Sequence, residues 1–236
     1  MAFRRIGIIG AMVEEIELLH QHVQVTGSST KAGITYYEGT LHGVQVVFCK
    51  SGVGKVNAAV CTQLLIDHGV DSVLFTGVAG ALDPELSVGD IVISTSCVQH
   101  DMDVTPLGFP RGVIPFLDIP SEFAADERLV RIASEAAELH AKGKYRTGKV
   151  LSGDQFIASR DVVRALRDEL GGACAEMEGA ALAHVCAMNG IPYVVIRSMS
   201  DKADGSAPES FAEFTVQAAA NSHAIIEAMV RRMAEQ

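Results

Sequence analysis

The chain has 236 residues, 48% of them hydrophobic but only 6% aromatic, with no tryptophan and a formal net charge of −10. That length allows a large buried core, and the Ala-, Val-, Ile- and Gly-rich composition suits a packed α/β domain. The acidic balance and the lack of any basic run exclude a nucleic-acid surface or an anionic membrane surface, and no stretch reaches the roughly 18 apolar residues of a membrane span.

In chain order, Arg5–Gly10 reads as a buried first strand and Met12–Val23 as a helix with Glu14, Glu15 and Glu17 in its first turns. Thr35–Leu41 and Val44–Lys50 flank His42-Gly43, a two-residue hairpin signal. Gly54–His68 has helical spacing, with Val56, Val60, Leu64 and Leu65 on one face. Ser72–Thr76 reads as a strand entering a turn at Gly77–Gly80, and Asp90–Ser96 as another strand. Residues His100–Pro120 hold four of the seven prolines and read as a long irregular loop, a kind of segment that tends to serve function or face a partner. Helices are expected over Asp126–Ala141 and Ser159–Glu169, the second capped by its serine, and again over Ala180–Met188. Strands are expected over Arg146–Ser152 and Pro192–Met199, and a long amphipathic helix over Pro208–Met233. The alternation predicts an α/β fold, a three-layer α/β/α sandwich around a central mixed sheet. No repeat or linker interrupts it, so one domain over residues 1–236 is expected.

The five cysteines (Cys49, Cys61, Cys97, Cys174, Cys186) are scattered in apolar segments without a C-x-x-C pair. An odd count of this kind points to a reducing, cytoplasmic setting rather than a disulfide framework. No Cys/His spacing fits zinc, so no metal site is expected. Gly7-Ile8-Ile9-Gly10 lacks the remaining glycine of the dinucleotide fingerprint. Ser51-Gly52-Val53-Gly54-Lys55 looks like the tail of a P-loop, but Val56 replaces the metal-binding Ser/Thr and Cys49 stands in place of the first glycine.

Chemistry is expected where strands end. Four strand ends deliver Gly10–Glu15, Gly77–Gly80, Ser152–Ile157 and Arg197–Asp201, and Glu176-Met177-Glu178 opens the Ala-rich helix. Brought together, they would line one pocket with carboxylates, an arginine, a phenylalanine and methionines, suited to a flat base joined to a sugar. The two glutamates at 176 and 178 sit among apolar residues, and carboxylates are buried only when paired or hydrogen-bonded. A helix-start role explains them equally well from that stretch alone, and Asp201 alone reads as a strand-end residue.

The motifs G-I-I-G-A-M-V-E-E, S-G-V-G-K-V-N-A-A, T-G-V-A-G-A-L, H-D-M-D-V-T, S-G-D-Q-F-I, A-E-M-E-G-A-A-L-A-H-V-C and R-S-M-S-D-K-A-D resemble the bacterial 5′-methylthioadenosine/S-adenosylhomocysteine nucleosidases of the purine nucleoside phosphorylase-like superfamily, over about residues 4–232. The resemblance implies hydrolysis of the bond between adenine and ribose, in methionine salvage, by a cytoplasmic homodimer with no metal or organic cofactor. It implies Asp201 as general acid on the purine's imidazole nitrogen and Glu15 as the group that activates water. Glu178 would hold the ribose hydroxyls over Met177, with Glu176 in support. Phe156 would stack on adenine, the Ile157 backbone would read its edge, and Arg197 and Ser200 would order the water and the acid. Met12 would line the wall near the water, and Phe211 would contact the alkylthio group. Leu107 and Pro115 would belong to a loop that closes over the neighbouring subunit's pocket. Phe75 stands where phosphate-using relatives tend to have an arginine, and it is otherwise expected to be core, like Phe48. Many relatives carry serine where this chain has Val78. The valine form resembles the branch that also hydrolyses 6-amino-6-deoxyfutalosine in a menaquinone route. A phosphorylase and a nucleoside sensor without turnover are the competing readings.

Overall fold

The computed structural model describes residues 3–204 and 207–235; residues 1, 2, 205, 206 and 236 of the expected domain lie outside the described residues. Its strands are β1 (Arg5–Gly10), β2 (Gln24–Lys31), β3 (Ile34–Leu41), β4 (Val44–Lys50), β5 (Ser72–Ala81), β6 (Ile91–Gln99), β7 (Phe123–Ala124), β8 (Tyr145–Ser152), β9 (Gly172–Glu176) and β10 (Tyr193–Asp201). Its helices are α1 (Val13–His22), α2 (Lys55–Asp67), α3 (Glu127–His140), α4 (Arg160–Leu170), α5 (Gly179–Asn189) and α6 (Ala207–Ala234).

The strands form one mixed sheet in the order β2-β3-β4-β1-β5-β9-β8-β6-β10, with β7 beside β6. β10 also pairs with β5, so the pairing β5–β10–β6–β8–β9 returns to β5 and that half of the sheet curls shut. The apolar strands bury both faces, and their side chains alternate between two cores as a pleat requires. Ile6, Ile8, Val46, Phe48, Leu74, Val194 and Ile196 meet α1, α3 and α6. Ile9, Val47, Cys49, Val73, Phe75 and Val195 meet α2 and α5. The expected three-layer sandwich is therefore the one observed.

The boundaries of β1, α1, β4, α3, α5, β8 and α6 fall within two residues of expectation. The hairpin at His42-Gly43 forms, both residues holding the positive φ of a tight β-turn. Several readings need correction. β2 was not expected because all its residues are exposed and mostly polar, so no periodicity marks it. β9 escaped notice because Gly-Ala-Cys-Ala lacks β-branched residues. The four residues Gly77–Gly80 are not a turn but the buried second half of β5, hydrogen-bonded to β10. On α2 the buried face is Ala58, Cys61, Thr62 and Leu65, whereas Val56 and Val60 point to solvent. Ser159 occupies the N-cap of α4 without a side-chain cap bond.

Leu65 is fully buried and fills the space that Gly7 leaves on β1. Leu65→Ala should therefore cost about 2–5 kcal/mol in urea unfolding. A loss below about 1 kcal/mol would contradict this assignment of the buried face of α2.

Candidate active site

All four expected strand ends converge on one cavity of about 310 Å³. From β1 and the start of α1 come Ala11, Met12 and Glu15; from β5, Val78, Ala79 and Gly80; from β10, Ser200 and Asp201. The loop after β8 supplies Gln155, Phe156 and Ile157; the β9–α5 junction supplies Ala175, Glu176, Met177 and Glu178; Val53, Ala203 and Phe211 complete the wall. β6, β8 and β9 run opposite to β5 and β10, so a parallel sheet alone would not bring these ends together; the closed half of the sheet does.

Arg197 does not line the cavity but lies beneath it, 1% exposed. Its Nη2 donates to Glu176 Oε2 at 2.5 Å and its Nε to the same oxygen at 3.2 Å. Its guanidinium sits 4.0 Å above the centre of the Phe75 ring, so Phe75 is a platform for the cation as well as core. Glu176 is also held by the Gly179 N–H at 2.8 and 2.9 Å, the Glu178 N–H at 3.3 Å and the Ser152 hydroxyl. A carboxylate at a helix N-terminus is favourable in its own right, so the helix-start reading of Glu176 holds together with its place under the pocket.

Glu15 is the third residue of α1 and reaches back over the helix start. The Ala11 and Met12 N–H groups donate to its Oε2 at 2.5 and 3.0 Å, and the Val78 N–H donates to Oε1 at 3.2 Å. Such a third-position glutamate commonly satisfies the first free N–H of a helix, but this one is buried while Glu14 and Glu17 are exposed. Gly77 makes room for it: a Cβ there would lie 2.6 Å from Glu15 Oε1 and 2.9 Å from Arg197 Nη1. Burial pushes the Glu15 carboxyl above its ordinary range, against the opposing pull of Arg197 and the three N–H donors.

Glu178 accepts the Gly54 N–H at 2.8 Å and lies 4.0 Å from Arg197 Nη2. Burial, and then the charge of Glu176, push its pKa up to about 8. Asp201 takes the Ser200 hydroxyl on Oδ2 at 2.9 Å and the Ala203 N–H on Oδ1 at 2.6 Å. A register shift between Met199 and Asp201 re-aims the end of β10, as bulges beside binding sites do. Burial raises the Asp201 pKa beyond what those two donors lower it.

The ends of the cavity differ. Val78, Met12 and Phe211 pack with Ala218 and Ala219 into a small apolar cluster, and the edge of Phe156 meets Phe211 at 5.6 Å. Val78 thus gives an apolar side chain to that wall and its N–H to Glu15. Ile157 and Ala203 line the cavity and belong to a separate apolar cluster with Leu82 and Leu151. Leu107 and Pro115 are outside this cavity; Leu107 is 69% exposed, and the neighbouring Phe116 is 92% exposed.

Sequence reasoning missed the part played by Ser51–Lys55. The loop is no phosphate cradle: Gly54 turns its N–H to Glu178 with φ of 97°. Lys55 spends its ammonium on Asp101 at 2.7 Å and Gln99 at 3.2 Å. Asp154 accepts the Lys55 N–H, and Asp101 accepts the Asp154 N–H, so three motif loops are tied together beside the pocket. The signal was available in Gly-Val-Gly before a helix, a pattern that exposes N–H groups at a helix start. Ser152 is the other missed residue; its hydroxyl binds Glu176 and accepts the Ala180 N–H at 2.7 Å.

The chain matches the family model described as the phosphorylase superfamily over residues 5–231. The 5′-methylthioadenosine/S-adenosylhomocysteine nucleosidase of Chromohalobacter salexigens is 42% identical over 98% of both chains. The Neisseria meningitidis nucleosidase of the same name, solved with methylthio-immucillin-A, superposes with a TM-score of 0.92 at 39% identity, covering 97% of this chain and 99% of that one. The futalosine hydrolase of Helicobacter pylori superposes with a TM-score of 0.91 at 33% identity over 98% of each chain. The chain is thus a phosphorylase-superfamily α/β protein and belongs, within that superfamily, to the 5′-methylthioadenosine/S-adenosylhomocysteine nucleosidase family.

A carboxyl whose folded pKa is raised stabilises the fold below its unfolded pKa, and that contribution is lost as pH rises through the folded value. For Glu178 the window runs from about 4.5 to about 8. Relative to wild type, Glu178→Gln should gain a few kcal/mol across that window. The check is denaturant midpoints at several pH values; a difference independent of pH would contradict the raised pKa.

Proposed function

We propose that the chain, one nucleosidase domain over residues 1–236, hydrolyses the N-glycosidic bond of 5′-methylthioadenosine and S-adenosylhomocysteine. Adenine lies between Phe156 and the Ile157 backbone, with its imidazole nitrogen facing Asp201. The ribose rests on Met177 with its hydroxyls on Glu178, and the alkylthio group fills the apolar end formed by Met12, Val78 and Phe211. Asp201 protonates the leaving base as the C–N bond breaks. Glu15 takes a proton from the water whose oxygen bonds to the sugar carbon. Carboxylates on the sugar side stabilise the cationic, oxocarbenium-like transition state, and a raised pKa lets an aspartate hold its proton near neutrality. Arg197, paired with Glu176, orders the water side, and Ser200 orients Asp201.

The observation that carries this reading is that three acids, Asp201, Glu15 and Glu178, line one cavity beside an apolar cluster of Met12, Val78 and Phe211. The names of the relatives agree with it. Phosphorolysis is disfavoured because, among the described residues, no lysine, arginine or histidine lines the cavity to hold phosphate. Hydrolysis of 6-amino-6-deoxyfutalosine is a second activity that the H. pylori futalosine hydrolase likeness supports.

The protein acts as a cytoplasmic homodimer in methionine salvage. Five buried free thiols suit a reducing compartment. Among the described residues no helix is long and apolar enough to cross a membrane. Exposed Val53, Val56, Val60, Leu107, Phe116 and Met188 offer apolar surface for the second subunit, with Leu107 and Pro115 in a loop that reaches its partner's pocket.

Incubation with methylthioadenosine should yield adenine and free methylthioribose at the same rate with or without phosphate, identified by mass spectrometry. Asp201→Asn should lower turnover by about 100-fold or more while binding persists. A sugar phosphate formed only with phosphate, or no cleavage by wild type, would overturn the proposal.

A further inference from the structure

At the opposite end of α1 from Glu15, three histidines gather around one glutamate. His22 is the last residue of α1, His42 sits in the β3–β4 turn, and His223 and Glu227 are one turn apart on α6. His22 Nδ1 lies 3.2 Å from His223 Nε2 and 3.3 Å from Glu227 Oε2, and His223 Nε2 lies 3.7 Å from that same oxygen. Two nitrogens and one oxygen thus form a triangle. Tetrahedral zinc with bonds of 2.0–2.1 Å separates its ligands by about 3.3 Å, and the centre of a triangle with these sides lies about 2.0 Å from each corner.

The surroundings fit a metal as well. His42 Nε2 is 2.9 Å from Glu227 Oε1, the oxygen turned away from the triangle, and so orients the carboxylate as outer partners of metal ligands do. Arg231 approaches that outer oxygen too, at 3.6 Å, and leaves Oε2 free of it. His223 is 3% exposed, so its Nε2 is held in place by the packing of α6. A solvent-open cleft of about 440 Å³ lined by His22, His42 and Glu227 gives an entry path and a fourth corner for water.

We propose that His22, His223 and Glu227 bind a divalent zinc-class cation that clamps α1 to α6, with His42 as the outer support. Imidazole and carboxylate together suit late first-row metals rather than magnesium or calcium. The ion is structural and takes no part in the cavity's chemistry: seven residues of helix place His22 about 10 Å along the axis from Glu15. It joins the helix that carries Glu15 to the one that carries Phe211. Sequence spacing hid the site because its ligands come from two segments, α1 and α6, whose histidines are 201 residues apart, with the supporting His42 in a third; only the His223–Glu227 step was a helical ligand pair.

The test uses untagged, full-length protein stripped with a chelator. Calorimetric titration with Zn2+ should show one ion per chain and a higher melting temperature on binding, and Co2+ should give the visible absorption of a tetrahedral site. His22→Gln, at an exposed position, should fold as wild type by circular dichroism and bind Zn2+ at least about tenfold more weakly; Glu227→Gln should do the same. Absence of stoichiometric binding, or unchanged affinity in both variants, would overturn the proposal and leave a hydrogen-bonded histidine cluster only.

Discussion

The ion pair between Arg197 and Glu176 is the contact on which the cavity rests. It is buried on both sides, and its members come from β10 and β9, strands that are not adjacent in the sheet. Around it gather the Phe75 ring from β5, the Ser152 hydroxyl from β8 and the first N–H groups of α5. Removing one partner of such a pair leaves a buried charge and typically costs about 3–5 kcal/mol. That cost belongs to the stranded charge and not to a net gain from the pair; what the pair supplies is geometry, the floor over which the ends of β1, β5 and β10 and the loop after β8 meet.

One cation cannot neutralise four acids. Glu176 takes the direct contacts with Arg197, and Glu178 stands off at 4.0 Å. Glu15, Glu178 and Asp201 are left with raised pKa values, burial being the largest cause for each. Their partners differ, and that separates their chemistry. Glu15 is gripped by three N–H groups that favour its charged form; Asp201 has one N–H and a hydroxyl. The proposed roles ask for one acid that keeps its proton beside one that gives it up, and the three N–H donors on Glu15 favour the second of these for it. The same surplus of buried carboxyls destabilises the fold as pH rises, and a ligand with hydroxyls and a developing positive charge would relieve it.

Much of this was legible in the sequence, and where it was not, the reason is physical. β1 and β10 announced themselves as apolar runs, and His42-Gly43 marked the turn between β3 and β4. The face of α2 was misassigned because valines and leucines at helical spacing do not say which of two apolar stripes meets the sheet; Leu65 against Gly7 decides it. The two glycines at 77 and 80 imitate a turn, yet they are glycine because Glu15, Arg197 and Asp201 need the space. Ten residues expected at the site line the cavity: Met12, Glu15, Val78, Phe156, Ile157, Met177, Glu178, Ser200, Asp201 and Phe211. Arg197 acts from beneath it, and Leu107 and Pro115 lie apart. Gly-Val-Gly before a helix signals a free N–H, but the partner of the Gly54 N–H, like that of the Ser152 hydroxyl, depends on which carboxylate the fold brings to it.

The arrangement of acids around a bound nucleoside is open to direct observation in a crystal structure of the Asp201→Asn protein with methylthioadenosine. The purine's imidazole nitrogen should lie within about 3.2 Å of the side chain at position 201. The ribose hydroxyls should meet Glu178, a water should sit between Glu15 and the sugar carbon, and the methylthio group should lie against Met12, Val78 and Phe211. A nucleoside bound with its sugar toward position 201, or bound outside this cavity, would contradict the account.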